Sequence, residues 1–138
     1  MTNTVNLSSW RYDIGLFVLR VMTGGLMLVN HGLPKLIGFN EKMNEFPDPI
    51  GLGNEISLAL TVFAEFFCAL ALILGIYTRI AIIPLIITML TAAFVIHWDD
   101  PFSKKEFALL YAIPFLAMVF TGPGKYSIDS KIHGDGSN

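Results

Sequence analysis

Apolar residues occur along this chain in long runs that few polar positions interrupt. Three runs, residues 14–33, 56–76 and 80–96, are close to the roughly 20 apolar residues that a helix needs to cross a bilayer. A fourth run, residues 107–120, is shorter, and the stems of Lys104 and Lys105 extend it because their ammonium groups can reach the membrane interface. The pattern predicts an all-α integral membrane protein, a four-helix bundle that is antiparallel and up-down-up-down, with helices at about 14–33, 56–76, 80–96 and 104–121.

The segments between the apolar runs are polar and contain turn-forming residues. The first helix is expected to end at Leu33, because Pro34 disfavours helical geometry in the residue before it. Residues 34–55 then form an extramembrane loop, a tight turn at 75–79 makes the next two helices an antiparallel hairpin, and 122–138 is a hydrophilic tail. The apolar run after the polar leader is longer than a signal-peptide core, so the first helix is expected to be retained in a single domain over 1–138.

Composition agrees with a membrane protein and excludes several classes of function. The 138 residues are 54% hydrophobic, with a mean hydropathy of +0.61. A net charge of -2 without a basic run excludes nucleic acid as a partner. Cys68 is the only cysteine, so the chain alone cannot form a disulfide, a CxxC redox pair or a cysteine-ligated iron–sulfur cluster. The residues predict no covalently attached cofactor and no metal site.

Two charged residues, Arg20 and Glu65, lie well inside the apolar runs. A charge in hydrocarbon costs at least about 2.5 kcal/mol, so each must face a partner or a wet cavity. At about 1.5 Å per residue, Arg20 lies about 9 Å and Glu65 about 16 Å from the same membrane face, a gap that an arginine can bridge. We predict an Arg20–Glu65 ion pair, which is either a functional site or a static clamp between the two helices.

Three further side chains could take part in chemistry. His31 and His97 end the first and third helices, which leave the membrane on the same side, so the two residues are expected to lie near one another. Imidazole can carry protons, hydrogen-bond a ligand or bind haem iron, but no sequence motif supports haem, and interfacial histidines that bond loop backbone are the plainer interpretation. Tyr111 is expected to donate a hydrogen bond into a cavity, and Lys35 to extend towards the interface.

Membrane orientation is almost balanced by the positive-inside rule. Four basic residues fall on each side of the predicted membrane, and acidic residues are concentrated on the side of the 34–55 loop. We therefore predict that both termini are cytoplasmic. The basic residues are Arg11, Arg79, Lys125 and Lys131 on the side of the termini, and Lys35, Lys42, Lys104 and Lys105 on the other.

With these residues placed, the chain resembles the DoxX family of small bacterial membrane proteins. The resemblance covers nearly the whole chain and rests on LRVMTGGLMLVNHGLPKL, AEFFCALALILGIYTRIA with Glu65 and Arg79, ALLY, and GPGKYSID. It implies a four-helix protein of the bacterial inner membrane, in which Arg20, the HG..K element of His31 and Lys35, and Glu65 occupy family-like positions. Relatives are assigned to membrane oxidoreductases, including a quinone-reducing thiosulfate enzyme that has more than one subunit.

Three functional hypotheses follow. In the first, the chain is a membrane subunit of a redox system that binds a quinone or a similar lipophilic molecule, with Arg20 or His31 as hydrogen-bond donors and Glu65 as proton carrier. Electrons would come from a soluble redox partner protein, so the chain alone is not a complete enzyme. In the second, it is a non-catalytic membrane anchor for soluble oxidoreductases. The third is a small-solute carrier, which would need a homo-oligomer to form a path of sufficient width.

Overall fold

A computed structural model describes residues 9–134 of the chain, and within this range all regular secondary structure is helical. Residues 1–8 of the polar leader and residues 135–138 of the predicted tail lie outside the described residues. Four long helices, a helical turn at Phe39–Lys42 and one short C-terminal helix account for most of the described chain. The helices are α1 (Ser9–Ile37), α2 (Asn54–Leu74), α3 (Thr78–Ile96), α4 (Phe102–Thr121) and α5 (Ile128–His133).

Helices α1, α2 and α3 are long and apolar enough to cross a membrane. Helix α4 has a comparable length of 20 residues, but three charged residues, Lys104, Lys105 and Glu106, lie close to its start. The all-helical prediction is confirmed, and three helices have the character of membrane spans. That α4 is a fourth span stays a prediction.

The long helices pack as two pairs. Helices α1 and α2 are in contact along their lengths, and so are α3 and α4. Between the pairs, α2 packs on α3 mainly through its later part, 63–74, and α4 packs mainly on the earlier part of α1, Ser9–Met27. The core therefore fills the end of the molecule near the α2–α3 turn, whereas the two pairs diverge towards the other end. Its fully buried side chains include Met27, Leu72, Ile82, Leu85 and Phe115.

Two glycines of α1 set how closely this helix approaches α2. A β-carbon on Gly24 would lie 2.9 Å from Cγ1 of Ile73, and one on Gly32 would overlap the backbone carbonyl of Glu65. Small residues allow such backbone contact between membrane helices. Gly24 thus allows α1 to approach α2 closely, and Gly32 brings the end of α1 directly against Glu65.

Each of the first three long helices contains a wide π-helical turn. These turns are Leu28–Gly32 in α1, Phe63–Cys68 in α2 and Ala92–Ile96 in α3. Such turns are rare and occur frequently at functional sites. The first of them contains His31, the second contains Glu65 and the third directly precedes His97, so all three adjoin residues that the sequence had singled out.

The predicted end of the first helix at Leu33 is wrong, because α1 continues through Pro34 to Ile37. The backbone N–H of Leu33 donates to the carbonyl of Leu28, which closes the π turn. Pro34 then lies in the first turn of the α-helical segment that follows, where a proline is tolerated. The loop predicted at 34–55 therefore begins after Ile37, and the additional helical turn carries Lys35 back towards α2.

The predicted hydrophilic tail folds back against the α2–α3 turn through Asp129. Asp129 accepts hydrogen bonds from the backbone N–H groups of Tyr77 and Thr78 and from the Thr78 hydroxyl, at 2.7 to 2.9 Å. Its own N–H donates to the carbonyl of Gly75 at 2.8 Å. This turn contains two residues with positive φ, Gly75 at 71° and Tyr77 at 44°. The tail thus stabilises a tight turn whose backbone is otherwise unfavourable for Tyr77.

Candidate functional site

Arg20 is the most completely buried charged side chain of the described residues, with 1% of its surface exposed. Its guanidinium donates to the carbonyls of Leu72 at 3.0 Å and Ile73 at 2.5 Å, at the end of α2. It also donates to Pro123 at 3.2 Å and to Tyr126, in the folded-back tail. Arg20 therefore connects α1, the end of α2 and the tail through four backbone acceptors.

The predicted Arg20–Glu65 ion pair is wrong. Arg20 is level with Leu72 and Ile73, about two helical turns along α2 from Glu65, so its side chain meets carbonyls at the end of that helix first. The last carbonyls of a helix lack the usual α-helical partners and attract a cation, although that of Leu72 also accepts from the N–H of Gly75 at 3.1 Å. Of the two alternatives considered for the pair, Arg20 fits the clamp, without Glu65 as its partner.

Glu65 is paired with Lys35 instead. The carboxylate is 4% exposed, and its Oε2 lies 2.5 Å from Nζ of Lys35, which also lies 3.4 Å from the carbonyl of His31. The expectation that Lys35 extends to the interface is therefore wrong. Because α1 continues past Pro34 and Gly32 holds it against α2, the lysine stem turns inwards and reaches the carboxylate.

A cavity of about 430 Å³ adjoins this pair, between the two diverging helix pairs. Its walls are predominantly apolar, and the 38–53 loop contributes Phe46, Pro47, Pro49 and Ile50. His31, Lys35, Glu65, His97 and Tyr111 all line it, so the structure brings together every predicted site residue except Arg20. Arg20 lies at the opposite end of the bundle.

Most polar side chains around the cavity already have partners within the protein. Ser57 donates to Asp48 at 2.8 Å, His97 Nδ1 lies 2.6 Å from Asp100, and Thr61 and Thr88 donate to carbonyls one turn earlier in their own helices. Among residues 9–134, the imidazole of His31 and the hydroxyl of Tyr111 line the cavity without a hydrogen-bond partner. Their rings meet edge to face at 5.3 Å between centroids, so two free polar groups adjoin the Lys35–Glu65 pair.

Two carboxylates outside the membrane helices organise the mouth of the cavity. The hydrogen bond from Ser57 and those from the backbone of Gly53 and Leu52 lower the pKa of Asp48. The hydrogen bond from His97 and the nearby charge of Lys104 lower the pKa of Asp100. Asp48 thereby fastens the 38–53 loop to the start of α2, and Asp100 fixes the ring of His97.

The site contains the groups needed for proton transfer and for binding a polar head group. Within the described part of the chain, no three His, Cys, Asp or Glu side chains are grouped closely enough to bind a metal ion. A buried carboxylate with an ammonium partner can exchange a proton, and imidazole and phenol can donate hydrogen bonds. Lys35 was the residue of this site that sequence reasoning missed, although its spacing of four residues from His31 put it on the same helix face.

Apolar spanning helices around a partly polar cavity define a helical integral membrane protein. The sequence profile of the DoxX family matches residues 15–98, and the chain belongs to the DoxX family. An uncharacterized protein of Haemophilus influenzae (strain ATCC 51907 / DSM 11121 / KW20 / Rd) is 31% identical over 112 residues, which cover 76% of this chain and 81% of the relative. No solved structure matches the chain. The expected family resemblance is confirmed.

Proposed function

We propose that this protein is a membrane subunit of a bacterial redox system that binds a quinone or a similar lipophilic molecule in the cavity. The observation that carries the proposal is the position of the free groups of His31 and Tyr111 beside the buried Lys35–Glu65 pair. Ligand pockets are typically a few hundred cubic ångströms in volume and mostly apolar, with a few polar groups that orient the ligand. A cavity of about 430 Å³ fits this description and suits a quinone head.

The head group would lie against His31 and Tyr111, because quinone carbonyls accept hydrogen bonds. Reduction to the quinol adds two electrons and two protons. A soluble redox partner protein would supply the electrons, and Glu65 with Lys35 would pass protons to the reduced oxygens. In this assignment Lys35 replaces Arg20 as the partner of Glu65, and Tyr111 replaces it as a hydrogen-bond donor, because Arg20 is engaged elsewhere by backbone carbonyls.

In the membrane, the proposal places all four long helices across the bacterial inner membrane in alternating directions. Helix α4 would span with its initial charges at the interface, where Lys105 donates to the carbonyl of Trp98 at 2.7 Å. Both termini would be cytoplasmic, and the cavity would open towards the periplasmic side. The soluble partner would accordingly approach from that side.

The proposal is tested first by the lipids that accompany the purified protein. We expect organic extracts of protein purified in mild detergent to contain quinone in a stoichiometric amount. The proposal would be contradicted if the extracts contained no quinone and the purified protein also failed to bind added quinone. Capture of soluble oxidoreductases by such quinone-free protein would support the membrane-anchor hypothesis instead.

A single hydroxyl provides a sharper test. Tyr111→Phe removes the free hydroxyl from the cavity with almost no change of shape, and we expect quinone affinity to fall about fivefold, the effect of one hydrogen bond of about 1 kcal/mol. The matched control is Tyr12→Phe, on the exposed surface of α1 far along the chain from the cavity residues. Equal affinity in wild type, variant and control would contradict the assigned position of the head group.

A further inference from the structure

The seam between α2 and α3 opens as it approaches the cavity. The two helices are joined by the tight turn after Leu74, and α3 packs closely on residues 63–74 of α2. The first two turns of α2, within Asn54–Val62, lack comparable packing against α3. Cavity-lining residues on both sides of this seam are Ser57 and Thr61 on α2, and Ile87, Thr88 and Thr91 on α3. We call these five residues the α2–α3 crevice.

The crevice connects the cavity with the lipid-facing surface. Ile87 lines the cavity and yet has 59% of its surface exposed. It belongs to a helix that is apolar enough to span a membrane, so its exposed surface faces acyl chains rather than water. A molecule can therefore extend from the cavity to the bilayer past Ile87 without crossing the polar mouth of the site.

The chemistry of the crevice suits a hydrocarbon chain. The hydroxyls of Thr61 and Thr88 each donate at 2.8 Å to a carbonyl of their own helix, those of Ser57 and Pro84. Ser57 is satisfied by Asp48. With these three hydroxyls engaged, a chain in the crevice leaves none of them without a partner. Ile87 adds an apolar side chain to the crevice, and Thr91 adds a methyl group together with a hydroxyl that is not engaged in this way.

The opposite seam, between α1 and α4, has a different character. There the rings of His31 and Tyr111 meet at 5.3 Å and close the gap at the level of the Lys35–Glu65 pair. Lys35 and Lys104 contribute charge to the cavity wall on these two helices. A hydrocarbon chain placed along this seam would desolvate ammonium groups, which is unfavourable. The exposed ring of Phe107 is the apolar exception on this side.

From these observations we infer that the lipophilic ligand carries a long isoprenoid or acyl tail, that it enters the cavity sideways from the bilayer, and that its tail lies in the α2–α3 crevice against Ile87. This inference rests on the proposed function and adds the position of the tail and the direction of access. The tail then confers much of the affinity, and the head group is oriented towards His31 and Tyr111 with its tail pointing away from them.

The test compares two probes on two matched variants in lipid nanodiscs. Ile87→Trp fills the mouth of the crevice, and Ile83→Trp places the same indole one helical turn earlier, on a residue of similar exposure, 52%, that does not line the cavity. The probes are a ubiquinone with its isoprenoid tail and the tail-less dimethoxy-methyl-benzoquinone head. We expect Ile87→Trp to lower affinity for the tailed quinone by about tenfold or more, with the tail-less probe unaffected and both probes unaffected by Ile83→Trp.

The outcomes separate the inference from the proposed function. Three results would overturn the position inferred for the tail. They are an equal loss of affinity for both probes in Ile87→Trp, a loss of affinity in the Ile83→Trp control, and undiminished affinity of Ile87→Trp for the tailed quinone. Tail-specific loss in Phe107→Trp without loss in Ile87→Trp would also overturn it, by placing the tail in the α1–α4 seam. If wild type binds neither probe, the proposed function itself fails. Should Ile87→Trp not fold, the smaller Ile87→Phe provides the same comparison.

Discussion

The two ends of the helix bundle accommodate a buried charge in opposite ways. At the turn end, Arg20 is surrounded by four backbone carbonyls from two segments, the end of α2 and the C-terminal tail, and by closely packed side chains. At the loop end, Glu65 has one ammonium partner and adjoins a cavity with free polar groups. A buried charge therefore does not by itself mark a site. The packing around it decides whether it holds the fold together or remains available to a ligand.

The largest effect on stability is expected from removing the charge of Arg20 at the turn end. Arg20→Met leaves the carbonyls of Leu72, Ile73, Pro123 and Tyr126 without this donor, and we expect roughly 3 kcal/mol or more of lost unfolding free energy. Thermal or denaturant unfolding in detergent measures it. Arg79→Met is the control, because Arg79 is exposed and donates to carbonyls of α4 only, and it should change stability by less than about 1 kcal/mol. Similar stability of both variants would show that Arg20 is no clamp.

At the loop end, we expect that changing Glu65 causes a smaller loss of stability and a large loss of function. Glu65→Gln leaves the Lys35 ammonium without its anionic partner, so stability should fall, and Glu65→Gln combined with Lys35→Met should recover most of the loss because the unpaired charge is gone. The proposed function predicts that proton-coupled quinone turnover falls by about 100-fold in both, since the proposed proton carrier is absent. Full turnover in folded Glu65→Gln protein would exclude this role for the carboxylate.

The smallest predicted effect concerns the C-terminal tail of the protein, which packs against the turn end of the helix bundle near Arg20. Burial raises the pKa of Asp129, but its hydrogen bonds from Thr78 and Tyr77 outweigh burial and hold the pKa below its ordinary value. The carboxylate therefore contributes its full stabilisation above its unfolded pKa of about 4, and loses it as pH falls through the lowered folded pKa. Asp129→Asn should cost about 1 kcal/mol at neutral pH, as for other lost helix caps.

This prediction is checked by following unfolding against pH. The wild type should lose part of its stability on acidification, and Asp129→Asn should lose less over the same range. The cavity end offers a comparison in Asp48→Asn, which should loosen the 38–53 loop in hydrogen exchange without changing the tail. Identical pH profiles for wild type and Asp129→Asn would show that the carboxylate does not hold the turn.

Much of the fold could be predicted from the local sequence. Apolar runs predicted the three spanning helices because the bilayer requires a fixed length of continuous apolar helix. Helix boundaries were harder to predict from the sequence. Pro34 indicated that the first helix ends before it, yet the preceding π turn lets α1 continue by one more turn. Gly32, within that turn, lies against the Glu65 backbone, a contact between residues far apart in sequence that the local pattern does not reveal.

The amino-acid sequence identifies the side chains that need polar partners, because Arg20, Glu65, His31 and Tyr111 stand out against apolar surroundings whatever the packing. Which groups become those partners depends on how the helices pack. Depth along antiparallel helices allowed Arg20 to reach Glu65, but the carbonyls at the end of α2 and in the folded tail lie closer to Arg20. Lys35 reaches Glu65 because α1 continues past a proline. Hydrogen bonds and ion pairs depend on ångström-scale distances, and these distances are set by helix packing rather than by residue spacing.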